Sequence, residues 1–264
     1  MKFSFMTFSC PELSWAEVVE AARRFGYEGV EPRAQAGHRH GIEPEASTSA
    51  RAAARKAAED AGVEIACLAT SCRYVLADPE ERAAMVEESR RLVELAHEVG
   101  ARRMRVFGGN IPEGMSREDA VAVAAESLRR VGEEAEAAGV VVCVETHDAW
   151  RDARHLATLL REANHPCVQA NWDIMHPVRA GMTIDEAFEA IGPWVCHCHF
   201  HDGREVEGRF ELCPVGEGVV DHRRAVELLR GAGYEGFLSG EWINWEDGWE
   251  EHLPRELARI RSYL

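Results

Sequence analysis

No stretch of this chain approaches the ~18 or more consecutive apolar residues that a membrane span requires. The apolar N-terminal stretch is interrupted by Ser4, Thr7 and Ser9, and no A-x-A-like cleavage site follows it. The expected location is therefore cytoplasmic, with no membrane partner. Basic charge is scarce: 30 Lys and Arg stand against 46 Asp and Glu, a net charge of −16. A phosphate-backbone footprint needs clustered Lys and Arg, so nucleic acid is not an expected partner. Much of the acid lies on Glu/Arg-rich stretches such as Glu80 to Glu98, where it reads as a solubilising outer shell. Also missing is a Gly-x-Gly-x-x-Gly after the first apolar run, which counts against an open doubly wound sheet. No glycine-rich phosphate loop stands out, and no linker or low-complexity segment divides residues 1–264, which are expected to form one domain.

Cysteine is present but scattered. Cys67, Cys143 and Cys167 sit inside apolar runs, as buried free thiols do, and a chain of this length needs no disulfide or metal staple to fold. Cys196-His197-Cys198-His199 has the look of a zinc cluster. Neighbouring side chains on a strand point to opposite faces, however, so both cysteines are expected to face away from both histidines.

What the chain does have is a regular alternation of strand and helix signals. Apolar runs with strand character occupy Lys2–Phe8, Gly29–Glu31, Val63–Ala69 and Arg103–Phe107, then recur near 140–145, 168–173, 194–199 and 236–241. Helix signals fill the intervals. Ser14 and Glu17 form a capping box, Thr183 and Glu186 another, and Asp78-Pro79 is an N-cap followed by proline at the first helical position. Gly26, Gly62, Gly100 and Gly139 close the helices of the first half. Eight such units predict an α/β fold of the (β/α)8 TIM barrel type, for which about 250 residues is typical.

Four ionisable residues fall at the ends of the last four strands: Glu145, Asp173, His199 and Glu241. In a parallel barrel all strand ends meet at one mouth. Three carboxylates and an imidazole converging there make an oxygen-rich divalent-metal site. His147 and His176 lie in loops that would roof it, His197 would sit one layer deeper, and Asp202 could orient an imidazole. Glu31, at the end of the second strand, and Arg204, after the seventh, are further candidates for binding substrate. Trp15, Trp150, Trp172 and Trp242 fall near strand ends or in the same loops, where they could line a pocket or pack in the core.

Taken together, Glu145-Thr146-His147-Asp148, Trp172-Asp173-Ile174-Met175-His176-Pro177, His197-x-His199-x-x-Asp202, Gly216-Glu217-Gly218-x-x-Asp221 and Ser239-Gly240-Glu241-Trp242 resemble the sugar phosphate isomerase/epimerase family of the xylose isomerase-like barrels. The likeness extends to Tyr27-Glu28-Gly29-Val30-Glu31 and Arg105-Val106-Phe107-Gly108-Gly109. The resemblance implies that Glu145, Asp173, His199 and Glu241 bind one divalent ion, with manganese, magnesium or cobalt the usual occupants and zinc an alternative. It also implies that Glu145 and Glu241 are an acid–base pair, and that His176 contacts a small sugar or polyol substrate. The spacing of Arg204 departs from the epimerase pattern. The expected reaction is isomerisation or epimerisation of a keto sugar through an enediolate. Dehydration on the same scaffold, with His147 as base, is the alternative, followed by a non-catalytic sugar-binding domain. The related DNA-repair endonucleases use a three-zinc site with many more histidine ligands and a basic cleft, and the net charge of −16 counts against such a cleft. Whether the substrate is phosphorylated, and whether the protein is a homo-oligomer, stay open.

Overall fold

The chain was analysed as a computed structural model, which describes residues 1–243, 245 and 247–264. Strands β1 (Lys2–Met6), β2 (Gly29–Glu31), β3 (Glu64–Ile65), β4 (Leu68–Arg73), β5 (Arg103–Phe107), β6 (Val141–Glu145), β7 (Val168–Asp173) and β8 (Val195–Phe200) are joined by β11 (Phe237–Gly240) in one sheet. Its order is β3-β2-β1-β11-β8-β7-β6-β5-β4, and every pairing is parallel. Nine strands make eight staves, because β3 and β4 share the third position and are separated at Ala66 and Cys67. Across that break the barrel is bridged by Arg33 to Ala69, with Ala69 N–H donating to the Pro32 carbonyl at 3.0 Å and Ala34 N–H donating back to Ala69 at 2.9 Å. The architecture is the nearly closed (β/α)8 barrel that the alternation of signals predicted.

Helices α1 (Trp15–Phe25), α2 (Thr48–Ala61), α3 (Pro79–Val99), α4 (Arg117–Ala138), α5 (Ala153–Ala163), α7 (Ile184–Ile191), α8 (His222–Gly231) and α9 (Trp249–Arg261) lie around the barrel, and α1 to α4 end at the glycines that the sequence offered as stops. Both capping boxes are formed. Among the described residues no helix is long and apolar enough to cross a membrane.

Alternation along the strands divides the side chains into two sets. Met104 and Val106, Val142 and Val144, and Ala170 and Trp172 are buried against the helices and build the apolar core. The opposite parity faces the lumen, where a barrel of this type usually stacks branched apolar side chains. Here that parity carries Ser4, Glu31, Arg105, Cys143, Glu145, Asn171, Asp173, His197, His199 and Ser239, all buried. Buried polar groups need partners, and several of these find them in one another.

Three features depart from the sequence reading. A hairpin of β9 (Asp202–Val206) and β10 (Arg209–Cys213) follows β8, its two-residue turn formed by Glu207 and Gly208 at φ of 49° and 77°. Positive φ at both positions is what a tight hairpin turn demands. A short helix, α6 (Met175–Arg179), follows β7. Finally, the β7–β8 register shifts between Ala170 and Asn171, leaving Cys196 as the extra residue. Its Sγ turns to within 2.9 Å of Cys143 Sγ, so simple alternation does not hold at Cys196.

Candidate active site

Glu145 and Asp173 are the last residues of their strands, His199 is next to last on β8, and Glu241 directly follows β11. Gly240 permits this last placement, since a Cβ there would lie 1.8 Å from the Trp242 ring. One ligand atom from each of the four lies within 4.8 Å of the other three, and all four residues are buried.

His199 is central to the group. Its Nδ1 is 2.9 Å from Glu241 Oε2 and 3.8 Å from Glu145 Oε1, while its Nε2 is 3.2 Å from Glu31 Oε1. Nε2–H donates to Glu31, so Nδ1 is the nitrogen that faces the cluster. Asn171 Nδ2 lies 3.2 Å from the same Nδ1. Glu31 is in turn held by His197 Nε2 at 2.7 Å and by the Ser239 hydroxyl, which donates at 2.7 Å. Burial would raise the Glu31 carboxyl, but His197 and His199 hold it well below the ordinary range. Burial likewise opposes charge on His199, yet Glu31, Glu241 and Glu145 raise its pKa well above that of a free imidazole.

The outer carboxylates have their own supports. Arg105, on β5, places Nε 3.1 Å from Glu145 Oε2, donates from Nη1 to the Thr70 carbonyl at 2.8 Å and lies 4.2 Å over the Phe107 ring. Burial alone would raise Glu145; Arg105 and then His199 bring it down to about 2. Asp173 Oδ1 accepts the N–H groups of Met175 and His176 at 2.9 and 3.1 Å, which starts α6, while Oδ2 lies 2.7 Å from His201 Nε2. Against the cost of burial, the charges of His201 and His176 hold Asp173 well below the carboxylate range.

The donor set suits a divalent cation. Three carboxylates crowded into one buried group repel one another unless a positive charge sits among them, and oxygen with one imidazole matches manganese-, magnesium-, cobalt- or zinc-like ions. A cation at the cluster would take the place of the Nδ1 proton of His199, and Glu31, accepting from Nε2–H, would keep the ring oriented toward it.

The remaining candidates divide by position. His147 and His176 border the cluster, their rings 4.4 Å apart and nearly perpendicular. Burial would lower His147, but its Asp148 partner at 2.8 Å and the charge of Glu145 raise it to about 9. Glu31 is fully buried beneath His199, where its oxygens are taken by two imidazoles and a hydroxyl. Arg204 is not brought to the cluster: it lies on the β9 arm, 53% exposed and 4.0 Å from Glu217. The four tryptophans singled out in the sequence are all buried. Asp202 orients no imidazole by hydrogen bond. It accepts N–H groups from Gly203, Gly216, Gly218 and Val220 at 2.9–3.2 Å, clasping the hairpin to the loop that follows it.

Sequence reasoning assigned no role to Arg105, Arg33 or His201. An arginine flanked by Met104 and Val106, on lumen parity, was the available signal for the first. Arg33 follows β2, and its Nη2 donates to Ser71 Oγ at 2.5 Å. Burial, and then the nearby Arg105, lower its pKa to about 10.

The profile of the xylose isomerase-like TIM barrel family matches residues 19–260. Over 258 residues the chain is 25% identical to L-ribulose-5-phosphate 3-epimerase UlaE of Salmonella typhi, covering 95% of this chain and 88% of that protein. It is 22% identical to 3-dehydroshikimate dehydratase of Bacillus anthracis over 262 residues, covering 92% and 91%. A crystal structure of D-psicose 3-epimerase in the presence of D-fructose superposes with a TM-score of 0.83 at 18% identity, covering 100% of this chain and 99% of the other.

Proposed function

The chain belongs to the xylose isomerase-like TIM barrel family, and from that premise we propose that it is a divalent-metal-dependent isomerase or epimerase of a small keto sugar or polyol, with Glu145 and Glu241 as its acid–base pair. One observation carries the reading: Glu145 and Glu241 approach His199 Nδ1 from two different strand ends, inside a buried group whose ligand atoms lie within 4.8 Å of one another. Affinity for a sugar alone does not call for two such carboxylates.

In this reading Glu145, Asp173, His199 and Glu241 hold the ion, which when bound supplies Lewis-acid polarisation of a substrate carbonyl. The rest is the work of this chain's side chains. Arg105 Nε, 3.1 Å from Glu145 Oε2, holds the carboxylate that in this reading accepts a proton from the carbon beside the carbonyl. Glu241 is the partner that returns a proton to the other face or to the next carbon. Glu31 fixes the ring of His199, and the backbone N–H groups of Met175 and His176 fix Asp173. His176, bordering the cluster, contacts substrate.

A second reading, dehydration of a keto-polyol, rests on His147. The resemblance suggests this residue as a base; it borders the cluster, with its Nδ1 2.8 Å from Asp148, a partner that could stabilise the imidazolium formed on proton transfer. One experiment separates the two. Metal-loaded protein is incubated with candidate ketoses and cyclic polyol ketones in deuterium oxide. Deuterium entering the carbon beside the carbonyl without loss of water is the expected result. Release of water with a product absorbing in the near ultraviolet would favour the dehydratase, and neither outcome across a broad panel would favour a sugar-binding domain.

A further inference from the structure

We propose that the cleft beside the four-residue cluster receives an anionic group of the substrate, a phosphate or a carboxylate, held by Arg117, Arg151 and Arg179. The inference rests on the sugar-processing reading above and names a feature of its substrate. The cleft, about 660 Å³, is lined by His147 and His176 where it adjoins the cluster, and the three arginines line it as well. Its volume is in the range of small-molecule sites.

The charge of this cleft runs against that of the protein. The chain carries a net −16, so its general field repels anions. Locally the balance reverses. Of the two aspartates in the cleft, Asp148 is 2.8 Å from His147 Nδ1, and Asp152 is taken by Arg154, at 2.9 Å from Nε and 2.7 Å from Nη2. Asp152 also accepts the N–H of Arg154, capping α5. Among the described residues, none of the three arginines has a carboxylate within 4.0 Å, whereas Arg154, just outside the cleft, does.

Two of the arginines are nonetheless placed by other contacts. Arg117 is half-buried, donates from Nη1 to the Ala149 carbonyl at 3.1 Å and stands 5.8 Å from the Trp150 ring. Arg179 lies 4.2 Å over the Phe210 ring. Arg151 and Arg179 are exposed. A guanidinium has five N–H donors in a planar fork, and these contacts leave most of them free. Cations gathered in one cleft repel each other, and an anion seated among them relieves that repulsion while accepting charge-assisted hydrogen bonds.

The test needs no turnover. Metal-free protein is titrated by calorimetry at low ionic strength with inorganic phosphate and, separately, with acetate. Binding of at least one probe is expected, weakened about tenfold or more in Arg117→Gln and in Arg179→Gln, the loss typical of one hydrogen bond to a charged group. Tighter binding of phosphate assigns the cleft to a sugar phosphate, and tighter binding of acetate assigns it to a sugar acid. Arg151→Gln alters an exposed side chain and keeps the question answerable if Arg117→Gln fails to fold. Binding of neither probe, or binding that is equal in wild type and every folded variant, would overturn the proposal. Anion binding lost on these substitutions supports the cleft whether or not deuterium exchange is seen, so this inference and the proposed reaction fail separately.

Discussion

Cys143 and Glu145 lie two residues apart on β6 and face the same lumen, yet burial leaves one neutral and the other charged. The Cys143 thiol is pushed well above its ordinary pKa by burial and by the adjacent Cys196. Glu145, equally enclosed, is held at about 2. The same contrast recurs on β8. His197, the deeper ring, is lowered by burial despite its bond to Glu31, whereas His199, one rung nearer the mouth, is raised by three carboxylates. Desolvation is common to both rungs and disfavours every charge. The outcome is decided by partners of opposite sign, and these accumulate at the C-terminal end, where Arg105, the histidines and the carboxylates meet.

Substitutions on the two rungs should therefore diverge. The largest effect is expected from Glu145→Gln or Glu241→Gln, with a loss in kcat of about 10²–10⁴-fold once the substrate is in hand. Cys143→Ala, one rung lower, should leave kcat within a few-fold. Equal losses at both levels, measured with bound metal quantified, would erase the distinction.

Arg105→Met probes the source of the contrast directly. It leaves Glu145 buried without its cation, and breaking a buried pair in this way costs about 3–5 kcal/mol, readable by denaturant unfolding of the metal-free protein. A cost under about 1 kcal/mol would mean that Arg105 is not what holds Glu145 ionised.

His40 sharpens the comparison as a buried histidine with no carboxylate partner among the described residues. Its Nδ1 accepts the Ile42 N–H at 3.0 Å, and burial, aided by His38, lowers its pKa to about 4. The folded state therefore binds fewer protons than the unfolded chain between pH 6.5 and about 4. Stability from this group is complete above pH 6.5 and is lost as the pH falls toward 4. His40→Asn should flatten that decline by about 1–3 kcal/mol in the metal-free protein. An unchanged pH profile would show that His40 does not contribute to it.

The smallest effect is expected at Arg204. Its pair with Glu217 is solvent-exposed and loose at 4.0 Å. Arg204→Gln should change stability by less than about 0.5 kcal/mol and kcat/KM by no more than about twofold. A tenfold fall in kcat/KM would restore it as a substrate contact.

The barrel was legible because its signals are local: capping boxes at Ser14 and Thr183, glycines closing the helices, and apolar runs of strand length. The convergence of Glu145, Asp173, His199 and Glu241 was legible for a related reason, since parallel staves deliver all their ends to one mouth whatever the details of packing. Other features were not. Arg105 reads as an ordinary strand residue until β5 and β6 are paired in register, which brings its Nε to Glu145. Glu31 has the same strand-end position as the other acids. Only the closed lumen shows that Ser239, His197 and His199 surround it, from segments more than 160 residues away. The exposure of Arg204 depends on the β9–β10 turn carrying it off the mouth. Periodicity and caps act over a few residues and can be read along the chain. Which charges become neighbours after burial depends on register and closure between distant strands, and in a dry lumen those neighbours decide which groups stay ionised.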